Sequence, residues 1–350
     1  MLNYFHISGI IDKESEGGTL MEPYQPPFSI TNQMLMLVAE ISEKMGRISS
    51  CHAFETKPHL RRNNRIRSIH SSLAIEANSL SLDEVRSVIG GKTVMGPQKE
   101  IQEVRNACRA YDLLGAFDPF SLADLKRLHG VMTHLTVQES GVFRSHNEGV
   151  FNGDTCIFMA PPPQLVPEQM EALFNWMRRE RSVIHPLILS SVFHYEFVFI
   201  HPFEDGNGRM ARLWQTALLS EWNPVFRYLP LESRIYEFQD AYYAAIAACH
   251  SAGNSNAFIE FMLDKINLTL DWAIQQLAEK DAYLPETVQR LLDVMEYDVP
   301  YTAAQIMAAL GLKSRDNLRK LYLKPALEKN LITMGLPDTP TSRNQTYIKK

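Results

Sequence analysis

Residues 201–212, H-P-F-E-D-G-N-G-R-M-A-R, bring a histidine, two acids, two glycines and two arginines together in one short stretch. Few purely structural roles need all of these residue types at once. Apolar residues at helical spacing lie on both sides of the stretch: Phe193, Phe197, Phe199 and Ile200 before it, and Leu213, Leu218 and Leu219 after it. The sequence therefore predicts a loop between two helices, the first ending at His201 and the second beginning near Gly208.

The glycines and arginines of this loop indicate an anion site. Gly206 and Gly208 can take backbone angles closed to other residues, so the loop can turn its N–H groups inward. The helix that follows points its positive N-terminal end at the same place. Arg209 and Arg212 lie three positions apart on that helix and share a face, where two guanidinium groups could hold phosphate oxygens.

An acid and a base complete the pattern. The Asp205 carboxylate fits beside an anion if a cation such as Mg²⁺ lies between them, because Mg²⁺ typically binds one or two protein carboxylates together with substrate phosphates. His201, with an ordinary pKa of about 6.5, is suited to accept a proton near neutrality. A base, a metal ligand and a phosphate site together predict transfer of a phosphorus-containing group to a hydroxyl.

This stretch resembles the signature of the Fic family, H-x-F-x-(D/E)-G-N-G-R-x-x-R, at every fixed position. Fic enzymes usually move AMP from ATP to a Ser, Thr or Tyr hydroxyl of a target protein and release pyrophosphate. The resemblance implies a mainly α fold, a helical bundle with a β-hairpin flap, and ATP and Mg²⁺ as cofactors. It implies that His201 deprotonates the target hydroxyl and that Asp205 holds Mg²⁺ against the α and β phosphates.

The same resemblance assigns the remaining residues of the loop. Asn207 and the backbone amides of Gly206 and Gly208 are expected to position the α phosphate. Arg209 and Arg212 are expected to contact the β and γ phosphates.

Two tyrosines further along the chain have two interpretations. Tyr242 and Tyr243 occupy a position where Fic proteins often place aromatic residues near the nucleotide base. We take Tyr243 as the candidate for that contact. Packing in a helix core is an equally good interpretation, since a tyrosine at helical spacing usually packs.

Residues 71–78, S-S-L-A-I-E-A-N, resemble the inhibitory helix motif of many Fic proteins, (S/T)-x-x-x-E-(G/N). Ser72 and Glu76 occupy its key positions, and Ala77 replaces the usual Gly or Asn, so the helix exit can differ. A Glu76 carboxylate that reaches Arg212 would occupy the arginine needed by the γ phosphate. The resemblance thus implies an enzyme that restrains itself, the alternative being that Glu76 is an ordinary solvated helix residue.

A β-hairpin is predicted upstream of the loop. Asn152-Gly153 is a strong hairpin signal, and residues 155–158 suit a short strand. Fic proteins carry their target-binding flap here, and an exposed strand edge could hold a target peptide by adding it to the sheet. A surface hairpin without such a function is the alternative.

We divide the chain into three parts. Residues 1–98 are an N-terminal arm and helices that carry the inhibitory motif, residues 99–280 are the catalytic core, and residues 285–350 are a separate module. Glycines and prolines in the first 30 residues indicate an irregular arm.

The last module resembles a winged helix-turn-helix. Two short helices are predicted over residues 302–310 and 314–330, with a tight turn at Gly311 and a hairpin-like stretch after them. Residues 313–350 contain nine Lys or Arg against three acids. This positive charge suits DNA phosphates, and it suits an acidic protein partner or a dimer contact equally.

Composition argues against several other classes. The net charge of −5 gives no overall attraction to nucleic acid or to an anionic membrane. Four cysteines without C-x-x-C spacing argue against a zinc site and a disulfide framework. The chain opens without a signal-peptide pattern, and no apolar run approaches the roughly 18 residues of a membrane span. We expect a cytoplasmic protein that does not enter a membrane.

Alternatives to AMP transfer remain open. The chain can act mainly as a regulator that binds DNA or a partner protein through residues 285–350, with its nucleotide site as a sensor. Within the Fic family, enzymes with another nucleotide donor, or enzymes that remove AMP with the glutamate orienting water, are not excluded by any residue. Dimers are common among Fic proteins, which makes a homodimer a candidate assembly.

Overall fold

The structure is a computed structural model that describes residues 23–50, 58–152, 155–281, 285–296, 299–329, 331–337, 339–340 and 342–349. The chain divides into two compact units. The first comprises Met1–Arg47 and Asn64–Asp271, and the second comprises Ile48–Asn63 and Trp272–Lys350.

The longer α-helices from the start of the described chain to its middle are α1 (Asn32–Ser50), α2 (Pro58–Ile75), α3 (Leu82–Ile89), α4 (Gln98–Leu113), α5 (Leu122–Met132), α6 (Val166–Glu180), α7 (Pro186–Ile200) and α8 (Asn207–Trp222). They are followed by α9 (Leu231–Glu237), α10 (Gln239–Ala252) and α11 (Asn256–Asp281). Short 3₁₀ turns occupy Leu114–Ala116, Pro163–Leu165 and Pro224–Tyr228. Helix accounts for 67% of the structure, which confirms the predicted mainly α fold.

Helix α7 forms the centre of the first unit. Its residues are apolar on nearly all sides and almost all of them are buried, as expected for a helix enclosed by its neighbours. It packs against α6 and α8. Phe174 of α6 lies edge-on to Phe193 of α7 at 5.9 Å and meets Trp214 of α8 at 6.4 Å between ring centroids. This aromatic core fixes the two helices that flank the loop at residues 201–206.

Strands β1 (Gly149–Asn152) and β2 (Thr155–Met159) form the predicted antiparallel hairpin. Its register places Gly149 opposite Met159 and shifts between Val150 and Phe151. Phe158 stacks on His250 of α10 at 4.4 Å. The second strand of the hairpin is therefore attached to the helical core.

The described part of the N-terminal arm has no regular secondary structure and packs on the first unit. The Tyr24 hydroxyl donates to Glu196 at 2.9 Å, and the Ser255 N–H donates to the Pro27 carbonyl at 3.0 Å. Residues 1–22, which belong to the same predicted arm, lie outside the described residues.

The second unit contains the helix pair and the hairpin predicted for the end of the chain. Its elements are α12 (Glu286–Val294), β3 (Pro300–Thr302), α13 (Ala303–Leu310), a helical segment α14 made of Arg315–Asn317, Leu318–Leu323 and Lys324–Glu328, β4 (Ile332–Met334) and β5 (Thr346–Lys349). The middle part of α14 is π-helical.

An antiparallel sheet and a small apolar core hold the second unit together. The sheet has the order β3-β5-β4. Gly311, at φ 67°, makes the turn between α13 and α14. Leu291, Ile306, Leu318 and Ile332 are buried together in the core.

The described residues contain no helix that combines the length and the apolar character needed to cross a membrane.

Candidate active site

His201 lies at the C-terminal end of α7, in a left-handed conformation with φ 51°. Its Nδ1 is 3.3 Å from the Val198 carbonyl oxygen. Because a carbonyl oxygen can only accept, this contact requires the proton on Nδ1 and leaves the lone pair on Nε2. Burial lowers the pKa of His201 from its usual 6.5. The ring is therefore neutral at pH 7 and can accept a proton at Nε2.

Arg144 holds the backbone around His201. Its buried guanidinium donates to the carbonyls of His201 at 2.7 Å, His146 at 2.8 Å and Pro161 at 2.5 Å. It thereby binds the end of α7, the loop before the hairpin and the loop after it in one cluster of hydrogen bonds. The carbonyls at the end of a helix lack partners within the helix, and here an arginine supplies one.

The loop after His201 is closed by Asn207. Its side chain accepts from the Phe203 N–H at 3.0 Å and donates to the Phe203 carbonyl at 2.7 Å. Gly206 takes φ 83° at the N-terminal cap of α8, in the region that favours glycine. The predicted loop between two helices is confirmed, with α8 starting one residue before Gly208. Asn207, predicted to contact a phosphate, is buried and bonds to its own loop.

His129 of α5 contacts the loop at residues 201–206. Its Nδ1 accepts from the Gly141 N–H at 3.0 Å, so its Nε2 carries the proton and donates to the Asp205 carbonyl at 2.9 Å. The ring also stacks on Phe203 at 3.7 Å. Burial lowers the pKa of His129 to about 4. A neutral, fixed imidazole thus sets the direction of the Asp205 backbone.

Asp205 pairs with an arginine on the next turn. Its Oδ1 accepts from Arg209 at 2.7 Å and from the Gly206 N–H at 2.5 Å, while its Oδ2 lies 3.9 Å from Lys99. Burial alone would raise the pKa of Asp205, but Arg209, the Gly206 N–H and Lys99 outweigh it, and the pKa lies below its usual value. The side chain is therefore ionised near neutrality.

Arg209 is buried with part of its hydrogen-bonding capacity unused. Only 3% of it is exposed, and its Nε and Nη1 have no hydrogen-bond partner among the residues that the structure describes. The Glu103 carboxylate lies 3.6 Å from Nη1, which is beyond hydrogen-bonding distance. A buried donor without a partner is costly, especially on a charged group. These two N–H groups mark a place where an anion would be stabilised.

Arg212, the second arginine, has Ser72 and Glu76 as partners. It donates to the Glu76 carboxylate at 2.8 Å, to the Ser72 carbonyl at 2.9 Å and to the Ser72 hydroxyl at 3.1 Å. A Cβ on Gly208 would lie 2.2 Å from Oε1 of Glu76. Glycine at this position is therefore what allows the carboxylate to reach the first turn of α8.

Ala77 ends the segment that carries Glu76 in an unusual conformation. It adopts φ 63°, in the left-handed region. Its N–H donates to the Ala74 carbonyl, and the Asn78 N–H donates to the Leu73 carbonyl. This is the position where the motif usually has Gly or Asn, and here an alanine takes the same backbone turn at a steric cost.

The two tyrosines of α10 have different environments. Tyr242 is buried and lies 3.0 Å from Nε2 of His194, whose Nδ1 contacts Gln215 at 2.6 Å. Core packing is thus the correct interpretation for Tyr242. Tyr243 is 47% exposed. Burial lowers the pKa of His194 to about 3, and both its nitrogens contact side chains of the core.

The structure brings the predicted residues together. Burial raises the pKa of Tyr243, and the charges of Glu76 and Arg212 act on the same hydroxyl, so Tyr243 lies beside this cluster. His201 and Asp205 lie on one loop, and Asn207, Arg209 and Arg212 lie on the first two turns of α8. Glu76, directly after the end of α2, reaches Arg212. Residues that the sequence did not indicate also take part: His129, Arg144, Glu103 and Lys99. Each lies on a distant segment, and no local motif marks it.

Comparisons with known proteins agree with this geometry. A profile of the Fic/DOC family matches residues 119–219, and a profile for the C-terminal domain of Fic-like proteins (filamentation induced by cAMP) matches residues 286–348. The crystal structure of a Fic family protein from Desulfovibrio desulfuricans G20 is 41% identical in sequence. It covers 93% of this chain and 98% of its own length, with a TM-score of 0.70.

Two relatives carry the name protein adenylyltransferase Fic. That of Culex quinquefasciatus is 29% identical over 255 residues, which is 68% of this chain and 48% of the relative. That of Nematostella vectensis is 30% identical over 214 residues, which is 58% of this chain and 47% of the relative. The chain spans about half the length of the curated relatives it matches.

The conformation of Ala77 generates a prediction on stability. Replacing Ala77 by glycine removes the left-handed strain, which amounts to about 1–2 kcal/mol for an L-residue. Ordering the more flexible glycine backbone costs about 0.5–1 kcal/mol, which offsets part of this gain. We expect Ala77→Gly to raise the free energy of unfolding by about 0.5–1 kcal/mol in urea. The matched control Ala74→Gly, inside α2, should lower it by about 1 kcal/mol. Equal losses from both would contradict the interpretation.

Proposed function

Because this chain belongs to the Fic family, we propose that it is a protein adenylyltransferase that moves AMP from ATP to a Ser, Thr or Tyr hydroxyl of a target protein. This proposal rests on the buried Nε and Nη1 of Arg209, for which the described part of the chain supplies no hydrogen-bond partner. A phosphate group would satisfy both donors, and a guanidinium is well matched to phosphate oxygens.

The proposed reaction needs one base and a charge-stabilising site. The target hydroxyl oxygen bonds to the α-phosphorus of ATP, and the bond from that phosphorus to the bridging oxygen of pyrophosphate breaks. The hydroxyl proton passes to Nε2 of His201. Arg209, the start of α8 and the loop amides stabilise the negative charge on the phosphates and the leaving pyrophosphate.

Asp205 is the residue proposed to hold Mg²⁺. Its Oδ1 is engaged by Arg209 and Gly206, so its Oδ2 is the oxygen that a metal would take. The described residues contain no group of three or more His, Cys, Asp and Glu side chains arranged for a metal. One carboxylate, with phosphates and water as the remaining ligands, fits Mg²⁺. Bound there, the ion would neutralise phosphate charge and orient the triphosphate.

We propose that Glu76 restrains the enzyme. Its bond to Arg212 at 2.8 Å supports this, because the same guanidinium is the predicted partner of the γ phosphate. A carboxylate and a phosphate cannot both take the fork of one arginine. ATP therefore binds in the productive position only when Glu76 moves away.

The hairpin of β1 and β2 is the proposed holder of the target. A two-stranded sheet leaves unpaired backbone groups along its edges, and an extended target segment could pair with them. The stacking of Phe158 on His250 gives the hairpin a fixed attachment. Another nucleotide donor, or removal of AMP with Glu76 orienting water, would use the same site.

Binding of duplex DNA by the second unit is a second candidate function. Helix α14 buries Leu318, Tyr322 and Leu323 and leaves its basic residues exposed: Arg315, Arg319, Lys320 and Lys324. An apolar inner face with a basic outer face is the arrangement of a recognition helix in a winged helix-turn-helix. It supports a regulator that binds duplex DNA through this unit.

His201→Ala should abolish AMP transfer while ATP binding persists. The base contributes about 10²–10⁴ in rate, whereas the proposed phosphate contacts are made by other residues. Incorporation of α-labelled ATP and calorimetric titration with ATP measure the two properties. Since burial lowers the pKa of His201, the activity of the unaltered enzyme should fall on the acid side with a midpoint below pH 6.5. Undiminished labelling by His201→Ala would overturn the assignment.

Glu76→Gly should raise self-labelling with α-labelled ATP. The substitution frees Arg212 for the γ phosphate, and the loss of one charge-assisted hydrogen bond of about 1.5–3 kcal/mol predicts an increase of tenfold or more. Glu171→Gly on α6 is the matched control, because Glu171 is exposed and pairs with Arg178 of its own helix. Unchanged or lower labelling for Glu76→Gly would show that this glutamate does not guard the site.

Charge removal from α14 tests the second candidate. A double Arg319→Gln and Lys320→Gln variant should weaken duplex binding in a gel shift and reduce the slope of log K against log salt by about 2. The double variant Arg105→Gln and Arg109→Gln, which alters exposed residues of α4, is the charge-matched control. Equal effects of both doubles, or no shift by the unaltered protein with or without ATP, would reject DNA as the partner.

A further inference from the structure

Helix α2, which carries the inhibitory motif, contacts the segment around α9 through polar side chains. Asn64 donates to the Tyr228 carbonyl at 2.9 Å, Ser68 donates to Glu232 at 2.7 Å, and the hydroxyls of Ser71 and Ser233 lie 3.1 Å apart. Positions 64, 68 and 71 share one helix face. We call these three side chains and their partners the polar seam.

Glu232 is the charged group of the seam. Only 1% of it is exposed, and its two oxygens accept from the Ser68 hydroxyl at 2.7 Å and the Tyr111 hydroxyl at 2.6 Å. Among the described residues no cationic side chain lies within salt-bridge distance of it. A buried carboxylate is costly unless hydrogen bonds compensate it. Its compensation here depends on a hydroxyl that α2 supplies.

The seam is connected to Arg212 by hydrogen bonds. Tyr111, which donates to Glu232, is also in hydrogen-bonding contact with Ser72. Ser72 in turn accepts from Arg212 with its hydroxyl and its carbonyl. Glu76 lies one helix turn beyond Ser72 and binds the same guanidinium. The register in which α2 lies on Glu232 therefore determines whether Glu76 reaches Arg212.

We propose that Glu232 is the positioning residue of the inhibitory helix: by binding Ser68 and Tyr111 it holds α2 in the register that places Glu76 on Arg212. This inference rests on the proposed function. Serine and asparagine side chains lose little hydrogen-bonding free energy when an interface opens, because water replaces their protein partners. Release of α2 thus requires the hydration of Glu232, and the seam acts as a reversible attachment.

Ser68→Ala tests the proposal most directly. The substitution removes a hydrogen bond that exists only while α2 is held against Glu232. The equilibrium between the held and the released helix therefore shifts toward release. Self-labelling should rise on the order of tenfold, the factor for one hydrogen bond to a charged group. Glu232→Gln keeps the shape of the side chain and removes its charge, and it should raise self-labelling less than Ser68→Ala does. Ser42→Ala, an exposed serine bonded to its own helix, is the control and should change nothing.

The same substitutions in a Glu76→Gly background separate positioning from general destabilisation. With Glu76 absent, α2 has no carboxylate to place, so Ser68→Ala and Glu232→Gln should change labelling by less than about twofold. Equal increases in both backgrounds, or no increase in the presence of Glu76 while Glu76→Gly itself is activated, would overturn the proposal.

Hydrogen exchange gives a readout that does not need catalysis. In Ser68→Ala the backbone amides of residues 64–75 should exchange faster, while those of α7 and α8 should not change. If Glu76→Gly shows no labelling at all, the proposed function fails. Hydrogen exchange still tests whether the polar seam holds α2, because it does not depend on catalysis. Unchanged protection of residues 64–75 in both Ser68→Ala and Glu232→Gln would refute the role of Glu232.

Discussion

Two arginines are buried in the first two turns of α8, and the chain must supply each of them with negative charge. Arg212 receives the Glu76 carboxylate from the end of α2. Arg209 receives one oxygen of Asp205, but within the described ranges its Nε and Nη1 have no hydrogen-bond partner. Buried charge is tolerated only when it is paired and hydrogen-bonded. In the proposed function, the incomplete pairing of Arg209 leaves donors for the ligand, and the pairing of Arg212 with Glu76 is the contact with which the ligand competes.

The rest of the first unit keeps this cluster in place. His129 fixes the Asp205 backbone, Asn207 closes the loop on Phe203, and Arg144 binds the carbonyls at the end of α7. All three side chains are buried or nearly so and bonded to backbone atoms, so they give the loop one conformation before any substrate arrives. Preorganised donors and a neutral base are what a charged transition state requires.

Local sequence patterns predicted the local structure well. The loop between α7 and α8, the pairing of β1 with β2 and the turn at Gly311 each follow from glycine, asparagine and the spacing of apolar residues. The long-range partners do not follow, because no pattern within a few residues connects His129 to Asp205, Arg144 to His201 or Ser68 to Glu232. Only the fold brings such pairs together. The resemblance to the Fic family indicated Glu76 and Arg212, which lie 136 positions apart.

Competition between Glu76 and the γ phosphate for Arg212 is the central claim, and calorimetric titration of the unaltered chain and of Glu76→Gly with ATP and with AMP tests it most directly. We expect Glu76→Gly to tighten ATP binding and to leave AMP binding unchanged, because AMP has no γ phosphate. An equal change for both nucleotides, or no change for either, would contradict it.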